Sequence, residues 1–157
     1  LLFLKGAVFM SIEKVKSYFK QFNMEDKIME FPVSSATVTE AAKALNCQEA
    51  HIAKTMSFKL NEDAILVVMA GDMRIDNHKF KEKFHKKSTM LKADEVEPMT
   101  GFPIGGVCPF APKDGVKVYL DESLKRFDKV YPACGSRNSA IELSIPELEK
   151  NSKAGKN

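Results

Sequence analysis

The sequence has few of the residues from which metal centres and covalent catalysts are most often built. Its 157 residues include three cysteines and three histidines. Cys47, Cys108 and Cys134 are widely spaced, form no Cys-x-x-Cys pair and have no histidine at zinc spacing. That pattern excludes a recognisable zinc finger and a disulfide framework, and it reads as reduced thiols in a cytoplasmic protein. His78 and His85 fall in a lysine-rich stretch and are expected at the surface. A Gly-x-Ser-x-Gly nucleophile elbow is missing as well, so Ser/His/Asp chemistry has no support. Net charge is small: 24 Lys and Arg against 21 Asp and Glu leave +3, which allows a nucleic-acid ligand without demanding one. No apolar run reaches the length needed to span a bilayer, and Leu1 to Met10 is interrupted by Lys5 and Gly6. No repeat, linker or low-complexity block divides the chain, so it reads as one domain large enough for its own hydrophobic core.

What is present draws attention first to Lys54. In Ile52-Ala53-Lys54-Thr55-Met56-Ser57-Phe58-Lys59-Leu60, a strand turns alternate side chains to opposite faces. Lys54 then falls in line with Ile52, Met56, Phe58 and Leu60, while Thr55, Ser57 and Lys59 point the other way. An ammonium on an apolar face either snorkels out at the strand end or faces a cleft and meets an anionic or polar ligand there.

Around this strand the chain alternates helical and extended patterns. Ser11 to Phe22 carries Ile12, Val15, Phe19 and Phe22 at helical spacing, and residues 1–9 are expected to be a leader outside the domain. Phe31-Pro32-Val33 suggests a short extended segment. Thr37 and Glu40 have capping-box spacing and open a helix to Asn46, and Gln48 to Ala53 adds one turn. Ala64 to Ala70 is nearly continuous in apolar residues, which predicts a strand covered on both faces and a hairpin with the Lys54 strand. Asp76 is placed to cap a helix through Phe80 and Phe84 to about Lys87, whose lysines read as a solvated face. Asp94 to Thr100 predicts a short helix. Three strands are expected at 117–120, 129–133 and 140–143, after which Ser144, Pro146 and Glu147 open a terminal helix. From Asn151 to Asn157 the chain is polar and expected to fray.

Gly101 to Phe110 is rich in Gly and Pro yet apolar, so this loop is expected to pack against something. Gly105 and Gly106 let a ligand approach main-chain N–H groups, and Pro109 stiffens the exit. A rigid loop of N–H donors suits a bound carbonyl or a developing oxyanion, and equally a tight turn between core elements. Cys108 in the same loop raises a rival, a thiol nucleophile with His51 as its base, although nothing in the spacing brings the two together.

Taken in order, Ile52-Ala53-Lys54-Thr55-Met56-Ser57-Phe58, Ala70-Gly71-Asp72 with Asp76 following, Thr100 to Phe110, and Gly135-Ser136-Arg137 resemble the YbaK/EbsC family. This is the aminoacyl-tRNA editing domain also inserted in bacterial prolyl-tRNA synthetases. The resemblance runs from about Ser11 to Lys150, with residues 10–150 as the domain. Its most specific parts are the lysine strand and the Gly-x-x-x-Pro loop from Gly105 to Pro109. It implies a single α/β (α+β) domain, a curled mixed or barrel-like sheet surrounded by helices. It also implies hydrolysis, without metal or other cofactor, of the ester joining a wrong small amino acid to the 3′-terminal adenosine of tRNA, with the proline-accepting tRNA as the family's usual one. Such editing answers a physical limit, since a synthetase pocket gains only about 1–3 kcal/mol per methylene.

By the same resemblance Lys54 and Gly105 would be the catalytic residues. Substrate contacts would come from Thr37, Thr55 and Asp72, from Gly106, Val107, Cys108 and Pro109 of the loop, and from Gly135 and Ser136. The attacking water would be helped by the substrate's ribose hydroxyl or, in the cysteine-specific branch, by the substrate's thiol. That branch has Asp where this chain has Ala140, and a Ser-Gly run where it has Ala133-Cys134-Gly135. Those departures point away from cysteine and toward alanine, serine, threonine or another small residue. The implied partners are mischarged aminoacyl-tRNA and prolyl-tRNA synthetase, with no membrane, in the cytoplasm. A trans-acting deacylase is the first reading, and a non-catalytic tRNA- or synthetase-binding module of the same fold is the second.

Overall fold

The computed structural model describes residues 2–154, with side chains from Ser11 onward. β2 (Ile52–Leu60) and β3 (Asp63–Ala70) form an antiparallel hairpin in which Lys54 lies opposite Met69, Met56 opposite Val67 and Phe58 opposite Ile65. Asn61, at φ 59°, takes the left-handed conformation that this tight turn needs. β4 (Lys117–Leu120) runs parallel to β3, β5 (Lys129–Pro132) parallel to β2, and β7 (Leu143–Ser144) antiparallel to β5. The result is a curled mixed sheet of five strands in the order β4-β3-β2-β5-β7, as the resemblance implies. β1 (Met29–Glu30) and β6 (Ser139–Ala140) pair separately.

Each face of the sheet carries its own apolar layer. On one face Ala53, Leu66 and Val68 pack with Val15 and Phe19 of α1 (Leu2–Lys20), with Phe102 and Phe110, and with Leu148 of α5 (Ile145–Ser152). On the other, Phe58, Ile65, Val67 and Met69 pack with Phe80 of α3 (Asn77–Phe84). β3 is therefore covered on both sides, as its unbroken apolar run predicts. Ala41 and Ala42 of α2 (Val38–Leu45) cover Ile52, and Val96 of α4 (Ala93–Thr100) covers Ala64. Thr37, Asp76 and Ser144 accept backbone N–H groups at the starts of α2, α3 and α5, where their spacing places them. Among the described residues no helix is long and apolar enough to cross a membrane.

Several boundaries differ from expectation for local reasons. α1 begins at Leu2, so the expected leader boundary at Met10 coincides with no break in the helix, and Leu1 lies outside the described residues. α3 stops at Phe84 rather than near Lys87, because His85 turns left-handed at φ 60°. The single strand expected at 140–143 is split: Ala140 pairs with Met29 in β6, and Leu143 pairs with Val130 in β7. Between them Ile141 buries its side chain while its N–H donates to the Pro132 carbonyl at 3.0 Å. The tail does not fray from Asn151, which is buried within α5 and whose carbonyl accepts the Tyr18 hydroxyl. Gly155 to Asn157 lie outside the described residues.

Gly71, just past β3, shows how closely the turn before β2 is held. A methyl there would stand 2.1 Å from the Glu49 carbonyl oxygen and 2.8 Å from Val38 Cγ1. Gly71→Ala is therefore expected to destabilise the fold by about 1–3 kcal/mol, lowering Tm by about 2–4 °C for each kcal/mol. Thermal unfolding followed by circular dichroism checks this, and an unchanged Tm would contradict the packing described.

Candidate active site

β2 and β5 are paired only at Ile52–Tyr131 and Ala53–Pro132. Beyond Pro132 the chain turns away, with Ala133 bridging to Ala140. β2 runs on and regains a neighbour where Leu91 N–H donates to the Ser57 carbonyl and Lys59 N–H to the Thr89 carbonyl. Between these points the sheet is open beside Lys54 and Thr55. A cavity of about 200 Å³ fills the opening, walled by Lys54, Thr55, Gly105, Val107, Ala133 and Ala140, with Thr37 and Tyr131 at its sides. Lys54 and Thr55 point to opposite faces of β2, yet both reach this space because it lies at the strand's edge.

Lys54 ends the apolar row formed by Met56 and Phe58, and its ammonium donates to the Met73 carbonyl. Burial, then the nearby Arg74, lower its pKa, with Asp72 partly offsetting them. Thr55 lies opposite Val68, and its hydroxyl oxygen is buried without a hydrogen-bond partner among the described residues. Leaving such a group unpaired costs about 1–3 kcal/mol, so a folded chain that keeps it calls for an explanation.

The loop opposite is held by glycine contacts. Gly105 has φ 84°, and a Cβ there would come within 3.0 Å of the Ala36 methyl and 3.2 Å of Arg137 Cγ. A Cβ at Gly106 would stand 3.0 Å from the Gly135 carbonyl and Ser136 Cα, so the loop leans directly on backbone. The Gly106 N–H is taken by the Pro103 carbonyl at 2.9 Å. The Gly105 and Val107 N–H groups have no acceptor among the described residues, and both residues line the cavity.

Of the sequence-predicted site residues, Lys54, Gly105, Thr37, Thr55 and Val107 meet at this cavity. The Thr37 hydroxyl is already engaged, accepting the Glu40 N–H at 3.1 Å as the cap of α2. The other expected contacts are placed elsewhere. Gly106, Gly135 and Ser136 form the seat of the loop: Ser136 is buried and hydrogen-bonded to Ser139 and Asn138. Pro109 is buried behind them. Asp72 is a bidentate partner of Arg126, at 2.6 and 3.1 Å, and that guanidinium holds its carboxyl below the usual range.

Cys108 is fully buried in the core, with its sulfur 3.6 Å from the Phe110 carbonyl. Burial pushes its thiol up to about 12, and the His51 ring packs edge-on against Phe127 at 4.4 Å. The thiol-nucleophile reading is thereby overturned, since the nucleophile must be a thiolate beside a base. The lining residues Ala36, Ala133, Ala140, Ser35 and Ser139 were not anticipated as contacts, although Ala133 and Ala140 already stood out as departures from the cysteine-specific pattern.

A wider cleft of about 480 Å³ lies under α3 beside β4, lined by Phe80, Phe84 and Tyr119. Its rim mixes Lys79, Lys83 and Lys125 with Asp76, Asp121, Glu122 and Glu149, so it offers no field of one sign. The smaller cavity, where the buried Thr55 hydroxyl faces the Gly105 loop beside Lys54, is the better candidate for a reactive site. Among the described residues no group of three or more His, Cys, Asp or Glu side chains could hold a metal ion.

The family model for the aminoacyl-tRNA editing domain matches residues 33–151. The chain is 50% identical to the uncharacterized protein YwhH of Bacillus subtilis over 90% of each chain. It is 29% identical to EbsC of Enterococcus faecalis, a candidate Cys-tRNA(Pro)/Cys-tRNA(Cys) deacylase, over 66% of this chain and 64% of that one. It also matches proline–tRNA ligases of Leptospira, of which it spans only 16%. Among solved structures, a candidate trans-editing enzyme for prolyl tRNA synthetase superimposes with a TM-score of 0.82 at 28% identity, covering 92% of each chain. With a matched region that takes in every residue walling the cavity, the chain belongs to the aminoacyl-tRNA editing domain family.

Proposed function

We propose that the protein is a trans-acting aminoacyl-tRNA deacylase of the cytoplasm, which removes a small amino acid wrongly joined to the proline-accepting tRNA. The observation that carries this reading is the meeting, at one opening of the sheet, of the Lys54 ammonium, the unpaired Thr55 hydroxyl and the free N–H groups of Gly105 and Val107. Likeness to the structure named for prolyl tRNA synthetase supports the proline-accepting tRNA, and prolyl-tRNA synthetase as a partner. A cavity of about 200 Å³ walled by Ala133, Ala140 and Val107 supports a small side chain.

In this reading the ester carbonyl lies against the Gly105 and Val107 N–H groups, which stabilise the oxyanion as it forms. Water, aligned by the ribose hydroxyl of the substrate, adds to the carbonyl carbon. The bond from that carbon to the ribose oxygen then breaks, and the proton lost by water ends on the ribose oxygen. The products are free amino acid and tRNA with its terminal hydroxyl restored. The step uses no metal and no protein nucleophile. Lys54 holds the ribose end of the ester, and Thr55 accepts the substrate's α-ammonium group, which satisfies its buried oxygen.

Purified protein offered tRNA charged with each small amino acid is expected to release at least one far faster than buffer does. Release of none would sink the proposal, and acceptor binding without hydrolysis would favour the non-catalytic module. Lys54→Ala is expected to lower kcat/KM about ten- to a hundredfold, in line with about 1.5–3 kcal/mol for a charge-assisted hydrogen bond, and Lys54→Arg to recover little. Lys59→Ala is the control on the opposite face, where the ammonium pairs with Glu95 at 2.8 Å, and is expected to keep full activity. Equal activity of the two alanine variants would remove Lys54 from the mechanism.

Thr55→Val tests the orphan hydroxyl separately. It keeps the shape of the side chain and deletes an oxygen that has no partner among the described residues. Tm is expected to hold or rise while KM for the charged tRNA increases several-fold. A fall in Tm with unchanged KM would show that the hydroxyl serves the fold and not the substrate.

A further inference from the structure

The cavity is smaller than the ~300–1,000 Å³ of a site that encloses a whole small-molecule ligand, so an aminoacyl group fits inside and its nucleotide does not. The nucleotide must lie at the mouth. A cation stands beside the Gly105 loop at that mouth. Arg137 is exposed, and its stem crosses the Gly105 backbone: a Cβ built on Gly105 would be 3.2 Å from Arg137 Cγ and 3.3 Å from its Nε. Its main chain is pinned to the cavity wall, because the Arg137 carbonyl accepts the Ser35 N–H at 2.7 Å and the Ser35 hydroxyl at 3.4 Å. The next residue is pinned too, with Asn138 exchanging hydrogen bonds with the main chain of Phe31. Only the guanidinium is left unengaged, with no carboxylate in ion-pair range among the described residues. Arg126, by contrast, is occupied by Asp72 and by the Ser123 carbonyl.

We propose that Arg137 holds the phosphate on the 5′ side of the terminal nucleoside, and that residue 105 is glycine so that the arginine stem can cross the loop and reach the cavity mouth. The proposal rests on the deacylase reading and adds to it the point where the nucleic-acid backbone is gripped. A planar fork of N–H donors on a rigid base is suited to a phosphate, and its exposure lets the strand reach it without entering the cavity. A Cβ at position 105 would press on Ala36 and on the Arg137 stem, as well as strain a backbone at φ 84°. The grip also explains why a pocket this small can serve a macromolecular substrate: the chemistry is inside, and the charge recognition is on its rim.

The test compares two substrates carrying the same amino acid, the aminoacyl-tRNA hydrolysed fastest and the phosphate-free 3′-aminoacyl ester of adenosine. Arg137→Ala is expected to lose about ten- to a hundredfold in kcat/KM on the tRNA, and to stay within about twofold of wild type on the adenosine ester. Arg137→Lys is expected to recover part of the loss. Affinity for uncharged tRNA is expected to fall, with a salt slope shallower by about 0.7–0.9. Lys117→Ala, at the far edge of the sheet, is expected to change neither rate. Equal loss on both substrates, or no loss on tRNA, would overturn the assignment. Should wild type hydrolyse neither ester, the deacylase reading fails. The Arg137 assignment is then decided by binding of uncharged tRNA alone: weaker binding by Arg137→Ala upholds it, and unchanged binding overturns it.

Discussion

The site depends on β2 and β5 parting after Ala53 meets Pro132. Proline has no N–H to carry the ladder onward, and the Pro132 carbonyl turns instead to the Ile141 N–H. β2 must continue, because its partner β3 runs beside it along its whole length. One edge of β2 is thus left bare at the point where Lys54 and Thr55 sit. A sheet edge exposes unpaired polar groups, and here that liability becomes a binding surface rather than an aggregation hazard.

The opposite wall is positioned by backbone contact instead of side-chain packing. Gly106 rests on Gly135 and Ser136, and Gly135 in turn rests on Ser11 and Val15 of α1, where a Cβ would come within 2.9 Å. This stack of glycine contacts ties the loop to the main core through Phe102, Cys108 and Phe110, all fully buried. The residues that seat the loop therefore fix its donors as firmly as if they touched the substrate themselves. Cys108 belongs to this group: its place in the motif reflects packing, and its raised thiol pKa follows from burial.

The frame was legible in the sequence because it obeys short-range rules. Period-two alternation put Lys54 on the apolar row with Met56 and Phe58, the run from Ala64 to Ala70 marked a doubly covered strand, and the Thr37, Asp76 and Ser144 caps follow from spacing alone. The Gly105 loop stood out because it was apolar where loops are usually polar. What stayed hidden depends on tertiary distance. Splitting of the 140–143 segment between β6 and β7 is decided by Ile141 turning into the core, and that split is what brings Ala140 to the cavity wall. Likewise the pairing of Asp72 with Arg126, far along the chain, is a contact that no spacing shows. Motif neighbours such as Gly106 and Ser136 lie beside the reactive space, and sequence order alone does not separate a wall from its support.

The central claim, that the ester lies in the opening between β2 and the Gly105 loop, is tested most directly by a crystal structure with a non-hydrolysable 3′-amide analogue of aminoacyl-adenosine. The account predicts the aminoacyl group beside Thr55, Ala133 and Ala140, its carbonyl oxygen within hydrogen-bond reach of the Gly105 or Val107 N–H, and the ribose near Lys54. An analogue bound in the cleft beneath α3, or at the opening with its carbonyl turned away from the loop, would contradict it.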